Sequence, residues 1–488
     1  MRGDLLNQSL FGNEAGEDED LDVLNSYFLD KDEFKDFYSP DQRLAFVRSR
    51  KGVGKSALLK QTLYRRQKDR AADLHIYVKA SDLVALQEIN ASSPDTLVYG
   101  WQQRICSQIN LELGARLRVA FSDASMTLVE SAELAGFRDR NIVGSLFDRF
   151  KAKGGGVEFE KKKFVQADAR ALLKRISDKK DIAVWVFVDD VDATFLNTAQ
   201  ERTKISTFFS ACRNLANAVR GLRLRAAVRT DVWTILAQHD EALDKCEQYM
   251  LDLRWSTNET GAILEKKILS YFKRQYPNNS AYTKFRQRQD SSKIRQLVFR
   301  EPFNWSGRPL EAFRPIHILC AGRPRWAAQL CKLAGKSAYE KHANKIGMGH
   351  IQAQLRAYGK SRLDDLYKEH RHQCPRMQDI IECFSGGPAR YRTEELLKLI
   401  TDEVVRKRGV PEIDGIRVAG GSLNMAHFLF RIGFICARDD LSESGLGFIR
   451  HEDRPNLLST TANLDDGMDW EIHPSYREVL RIKRRPQV

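Results

Sequence analysis

The run Ser49-Arg50-Lys51-Gly52-Val53-Gly54-Lys55-Ser56 constrains this chain more than any other feature. It follows the apolar stretch Leu44-Ala45-Phe46-Val47 and precedes Ala57-Leu58-Leu59-Lys60-Gln61-Thr62-Leu63, whose apolar residues have helical spacing. Strand, Gly-rich turn, Lys-Ser and helix are the context a phosphate-binding loop needs. The turn aims backbone N–H groups at phosphates, and the helix N-terminus adds the positive end of its dipole. In that role Lys55 reaches the β and γ phosphates and the Ser56 hydroxyl ligates Mg²⁺. The candidate phosphate-binding set is Ser49, Arg50, Lys51, Gly52, Val53, Gly54, Lys55, Ser56 and Ala57. The pattern G-x-x-x-x-G-K-[ST] begins here with Ser49 instead of Gly, and a small residue still allows the turn.

The run Asp181-Ile182-Ala183-Val184-Trp185-Val186-Phe187-Val188 is nearly continuously apolar, as a strand buried on both faces should be. It ends in Asp189-Asp190-Val191-Asp192. Carboxylates at the C-terminal edge of a central strand sit where α/β sheets bind ligands. Asp189 is the candidate Mg²⁺ ligand, through water or directly. Asp190 is the candidate catalytic residue that orients or deprotonates an attacking water. Asp192 has two readings, a hydrogen bond to the loop or a solvated turn residue. Leu222-Arg223-Leu224-Arg225-Ala226-Ala227-Val228-Arg229-Thr230-Asp231 reads as the next core strand.

Strand and helix candidates alternate over 41–255, with strands at Leu44–Val47, Leu74–Val78, Ile182–Val188, Leu224–Val228 and Tyr249–Leu253. That alternation predicts an α/β fold, a three-layer core around a mostly parallel sheet. Residues 1–40 read as an N-terminal arm with a short helix near Leu21–Phe28. A helical insertion is expected at about 113–165, with Gly154-Gly155-Gly156 as a hinge or loop within it. Residues 256–372 read as a helical lid domain, with helices at Asn258–Tyr276, Trp326–Ala338 and His350–His370. Residues 373–488 read as a winged-helix-like α+β domain: helices at Thr393–Arg408 and Leu423–Arg431, strands at Gly433–Ala437, Gly447–His451 and Trp470–His473, and wing turns at Ser442–Gly445 and Asp465–Gly467.

With 42% hydrophobic and 30% charged residues over 488 positions, the composition is that of a folded, soluble chain of two to four domains. No apolar run approaches a membrane span, and the N-terminus lacks a signal-peptide core. The eight Cys form no C-x-x-C pair and read as reduced thiols of a cytoplasmic protein. His370, His372 and Cys374 lie in a polar run without a second cluster and read as a solvated helix end. The net charge of +14 is uneven, acidic near Glu14–Asp22 and basic later, as in Arg220–Arg229 and Arg481–Arg485. Such a balance permits DNA or another polyanion as partner without requiring it.

The ordered set resembles the bacterial STAND ATPases and their neighbours, the AAA+ origin-recognition and KAP-type ATPases. The resemblance rests on Leu10-Phe11-Gly12-Asn13-Glu14-Ala15, Lys51 to Ser56, Phe187 to Asp192, Val228-Arg229-Thr230-Asp231-Val232-Trp233 and Gly322-Arg323-Pro324-Arg325. It spans most of the chain, and the phosphate loop and the acidic strand end are its specific parts. It implies ATP and Mg²⁺ as cofactors, with ATP between core and lid. Pro324 would lie near the base, and Arg323 or Arg325 would meet phosphates. Arg229 or Thr230 would stand where a sensor of the γ-phosphate ends its strand; otherwise Arg229 pairs with Asp231 or a helix end. Arg213 and Arg220 are candidate arginines supplied in trans. The resemblance further implies a homo-oligomer whose nucleotide state gates a protein effector, as in bacterial anti-phage defence. The alternative is a DNA-binding initiator or loader. Against it, Leu423–Arg431 is mostly apolar, where a base-reading helix should have a polar face.

Overall fold

Five short apolar runs form one parallel sheet, and the order of its strands decides which polar residues meet. The strands are β1 (Leu44–Ser49), β2 (Leu74–Lys79), β3 (Val184–Asp189), β4 (Leu222–Arg229) and β5 (Met250–Asp252), in the order β2-β3-β4-β1-β5. The structure is a computed structural model that describes residues 2–85, 93–116, 183–193, 195–417, 421–439 and 447–483. Most of the insertion expected at about 113–165, including Gly154–Gly156, lies outside the described residues, as does the wing turn Ser442–Gly445.

Every pairing in the sheet is parallel, so the C-terminal ends of all five strands share one edge. β4 separates β1 from β3, with Ser49 opposite Arg229 in register and Lys79 opposite Asp189. All six residues of β3 are buried, which requires cover on both faces. Helices α1 (Lys55–Asp69), α2 (Pro94–Arg116), α3 (Ala199–Ala218) and α4 (Thr230–His239) supply it. Phe209 on α3 meets Phe46 and Trp233 edge to face, each at 5.0 Å between ring centroids, the arrangement aromatic quadrupoles favour. The result is a three-layer α/β core around a parallel sheet.

The contacts divide the chain into two units. One is Asp30–Arg50 with Lys55–Leu253; the other is Met1–Leu29 with Lys51–Gly54 and Arg254–Val488. The first unit contains a fully buried cation, Arg225 on β4. No carboxylate pairs with it in the described residues. Its guanidinium donates instead to the carbonyl oxygens of Phe37 (2.7 Å), Ser39 (2.9 Å), Gln42 (2.8 Å) and Leu224 (2.9 Å). It also lies 4.9 Å from the centroid of the Trp185 ring. Backbone carbonyls and an aromatic face thus replace the water that burial removed.

In the second unit, α5 (Thr257–Gln275), α6 (Phe313–Cys320), α7 (Pro324–Glu340) and α8 (Met348–His370) form the helical lid. Ser256 and Glu259 close a capping box at the start of α5. Ala321 ends α6 in the left-handed region, and Pro324 fills the first position of α7. Leu5, Leu10 and Phe11 are buried in this unit's core, and the Asp4 carboxylate accepts from the Tyr271 and Tyr276 hydroxyls at 2.8 and 2.9 Å. Only the part of the expected arm after Leu29 belongs with the sheet.

A winged-helix-like α+β domain completes this unit. It comprises α9 (Met377–Glu382), β6 (Arg390–Tyr391), α10 (Thr393–Ile400), α11 (Ser422–Arg431), β7 (Ile435–Asp439), β8 (Gly447–Ile449) and β9 (Asp469–Ile472). Its sheet is antiparallel in the order β8-β7-β9-β6. The helix expected over Thr393–Arg408 runs that full length: α10 continues as a π-helical segment over Thr401–Arg406 and then as two further helical residues. The run around His370 is not a solvated helix end. His370, Gln373 and Cys374 are buried, and a His370 ring nitrogen is 2.6 Å from Gln373 Oε1. All eight cysteines are free thiols.

Replacing Arg225 with Met leaves the carbonyls of Phe37, Ser39 and Gln42 without their donor. At about 1–3 kcal/mol per buried unsatisfied group, stability should fall by about 3 kcal/mol or more. The check is a lowered urea midpoint at unchanged m-value.

Candidate functional site

The polar residues at the C-terminal edge of the sheet follow from strand order. Ser49 ends β1, where the backbone is extended and any small residue fits. Ser49 is not among the residues of positive φ, so its place does not call for a glycine. Ser49 is 3% exposed, and its hydroxyl donates to the Arg50 carbonyl at 3.2 Å. Lys55 opens α1, and its Nζ donates to the carbonyls of Ser49 and Arg50 at 3.1 and 3.5 Å. Ser56 and Ala57 follow in the first turn, half-buried.

Two strands away, Asp189 ends β3 with 2% exposure. Its Oδ2 accepts from the Tyr77 hydroxyl at 2.6 Å and its Oδ1 from the Asp190 N–H at 3.0 Å. Asp190 is exposed and holds a φ of 54°. A non-glycine residue in that region is uncommon, and strained backbone of this kind clusters at functional sites. The arrangement fits a divalent cation: a buried carboxylate oriented by two donors, with the Ser56 hydroxyl in the same unit. Among the described residues no cluster of three His, Cys, Asp or Glu is present. A Mg²⁺ held by one carboxylate, one hydroxyl, water and phosphate oxygens needs none.

Asp192 is not a solvated turn residue. It is 4% exposed, and its Oδ2 accepts from both the backbone N–H and the Nε of Arg229, at 2.8 and 3.0 Å. Burial raises its pKa, with Arg229 and Lys55 pulling the other way. Arg229 Nη2 also lies 3.6 Å from Asp231. The proposed sensor is therefore held by two carboxylates at the end of β4, and Thr230 begins α4. Arg220 lies beyond the end of α3 and before the start of β4, at the opposite end of that strand from Arg229. Arg213 is half-buried on α3.

Lys51–Gly54 belongs to the lid unit. Gly52 and Gly54 have φ of 79° and 120°. At Gly54 a side chain would have open space around it, so the conformation alone asks for glycine. At Gly52 an added Cβ would also stand 3.2 Å from Arg325 Cβ. Trp255 Nε1 donates to the Val53 carbonyl at 2.8 Å, and the Arg325 N–H donates to the Gly52 carbonyl at 3.2 Å. Arg325 Nε in turn donates to the Glu14 carbonyl at 2.9 Å. Pro324 is half-buried at the first position of α7.

Arg323 is not an open phosphate ligand. Its side chain is 2% exposed and its Nη1 is 2.8 Å from Glu369 Oε2, on a side chain 1% exposed. It stacks 4.1 Å from the Trp326 ring centroid. Burial opposes its charge, but Glu369 outweighs burial and raises its pKa. The same Nη1 donates to the Lys51 carbonyl at 3.3 Å, and the Lys51 N–H donates to Glu369 Oε1 at 3.4 Å. Reading along the sequence missed both Glu369 and Tyr77. Tyr77 has the right face, two residues before Lys79 on the strand paired to β3, but this shows only once strand order is known. Nothing local marks Glu369, one glutamate near the end of a long helix.

No family model matches the chain, and no curated protein matches it. Solved structures do. The Aeropyrum pernix ORC2 protein in ADPNP–ADP complexes is 12% identical, covers 89% of this chain and 85% of its own, and gives a TM-score of 0.41. The Aeropyrum pernix ORC1 protein in complex with DNA is 14% identical, with coverages of 94% and 90% and a TM-score of 0.33. Cdc6p from Pyrobaculum aerophilum is 11% identical, with coverages of 97% and 96% and a TM-score of 0.29.

Lys55→Ala should weaken ATP binding at least tenfold, about 1.4 kcal/mol, by removing the charge expected to face the phosphates. Titration with a fluorescent ATP analogue checks this, and unchanged affinity would remove the loop from the site. Asp190→Asn should leave that affinity within a few-fold and slow turnover by about 10²–10⁴-fold. Phosphate release under saturating ATP is the measurement, and wild-type turnover would move the base elsewhere.

Proposed function

We propose that this protein is a Mg²⁺-dependent ATPase that works on duplex DNA through its phosphates. The observation that carries the ATPase reading is the gathering of Lys55, Asp189, Asp190 and the Asp192–Arg229 pair at one edge of a parallel sheet. In this reading Lys55 neutralises the β and γ phosphates. Ser56 and Asp189 would hold a Mg²⁺ ion, which when bound would supply stabilisation of the charge on the phosphoryl group. Asp190 orients a water and takes its proton as the oxygen attacks the γ phosphorus. The bond from that phosphorus to the β–γ bridging oxygen breaks, giving ADP and phosphate. Asp192 keeps Arg229 fixed at the end of its strand, as a cation that need not reorganise during the reaction.

DNA as the target is supported by the net charge of +14 and by a winged-helix-like domain. Lys284, Arg286 and Arg288 also form a short exposed basic strip in the lid unit. α11 limits the mode of binding. Met425, Ala426, Phe428, Leu429 and Phe430 are buried, and Arg431 is committed to Asp414. Few polar groups are left on that helix for base edges, so contacts to phosphates fit better than base readout.

A second reading is an assembly switch that gates a protein effector, as in bacterial anti-phage signalling. The scarcity of free polar groups on α11 favours it, because a helix whose apolar residues are spent on its own domain's core has little left to read bases. No helix among the described residues is long and apolar enough to cross a membrane.

Steady-state ATP hydrolysis with and without duplex DNA, at several protein concentrations and two salt concentrations, separates these readings. DNA-acting chemistry predicts stimulation that fades steeply as salt rises. Slow hydrolysis indifferent to DNA but dependent on protein concentration would favour the assembly switch.

A further inference from the structure

We propose that Glu369 is a positioning residue that links the phosphate loop to the winged helix; the proposal rests on the ATPase reading above. Its two carboxylate oxygens do different work. Oε1 accepts from the Lys51 N–H at 3.4 Å, and Oε2 accepts from Arg323 Nη1 at 2.8 Å. Arg323 Nη1 also donates to the Lys51 carbonyl at 3.3 Å, so one buried ion pair holds both backbone polar groups of a loop residue.

The same helix end reaches the other way. Gln373 lies four residues on, just past the end of α8. Its Nε2 donates to Asp414 Oδ1 at 2.9 Å, and its carbonyl accepts from the Asp414 N–H at 2.8 Å. Asp414 then pairs through Oδ2 with Arg431, the last residue of α11. Direct polar contacts and one short stretch of backbone therefore join the loop to α11.

The Lys51 N–H carries one hydrogen. Glu369 and a phosphate oxygen are competing acceptors for it, since a phosphate-binding loop serves its anion through its own amides. When the phosphate takes that hydrogen, Glu369 loses its hold on the Lys51 N–H while its pair with Arg323 stays, and the end of α8 shifts. Gln373 and Asp414 pass that shift to α11. Coupling of this kind needs a contiguous element with two arrangements, and the alternative acceptors of Lys51 N–H supply them. The winged helix would then read whether the loop is loaded.

The test is hydrogen–deuterium exchange of Glu412–Arg417 and Ser422–Arg431 in the full chain, with and without ATP, beside titration with a fluorescent ATP analogue. The variants are Glu369→Gln and Asp414→Asn. Asp414 keeps its side chain 18% exposed, against 1% for Glu369, in a turn with φ of 54°, a conformation Asn adopts well, so that variant should fold even if the buried one does not. In the wild type, ATP should change exchange on α11 by about threefold or more. Both variants should bind the analogue within about threefold of wild type and lose that change. An ATP-dependent change retained in Asp414→Asn, or in a folded Glu369→Gln, overturns the proposal. So does a wild type that binds ATP without any change on α11. A wild type that binds no ATP overturns the ATPase reading itself, and this one with it.

Discussion

Arg323 and Glu369 meet in a buried place, and much of the lid unit is arranged around that contact. A buried ion pair is favourable only when its geometry is good and its remaining hydrogen-bonding capacity is used. The first condition is met in full and the second in part. The 2.8 Å contact joins the start of α7 to the end of α8, Trp326 covers the guanidinium, and both Arg323 Nη1 and Glu369 Oε1 also bond Lys51, while Arg323 Nε is buried without a hydrogen-bond partner among the described residues. Arg362 lies 4.5 Å from the centroid of the same indole, so the ring carries two cations. Deleting one partner of such a pair typically costs about 3–5 kcal/mol, because the other charge stays buried alone. The backbone of a Gly-rich segment is thereby tied to the start of α7 and the end of α8.

The sheet edge shows the same economy of means. Asp189 is held by donors on both of its oxygens, and one of them is the N–H of the very residue proposed as base. That bond accompanies the left-handed backbone of Asp190, which turns the chain away from β3 as soon as the strand ends. Asp192, two residues on, is folded back beneath Arg229. Three nearby aspartates thus have three environments: buried and donor-bound, exposed and strained, buried and ion-paired. Environments that differ this much let one chemical group perform different tasks.

Much of this was legible in the sequence, for identifiable reasons. The strands that become β1 and β3 hold apolar runs buried on both faces, and such runs need no knowledge of their neighbours to be recognised. The phosphate loop and the acid-rich strand end carry their own local signatures. What could not be read depends on contacts distant along the chain. Asp192 looked like either a loop bond or a solvated turn residue until β4 was seen beside β3. Arg323 looked like a phosphate ligand because its motif is local and its partner, Glu369, is 46 positions away. The strand Arg390–Tyr391 is too short for periodicity to show. The polar letters around His370 concealed a buried segment, because their hydrogen-bond partners come from each other and from Asp414.

Arg225 bears on where the sheet unit begins as an independent folding body. Periodic strand–helix alternation starts near residue 41, and a cut there would seem natural. Yet two of the carbonyls that solvate this guanidinium, those of Phe37 and Ser39, lie before that point. A core begun at 41 would enclose a cation with half its acceptors gone, so the autonomous sheet body has to start close to Asp30. The unit's edge is drawn by the solvation of one charge in its interior, not by the first residue of its first strand.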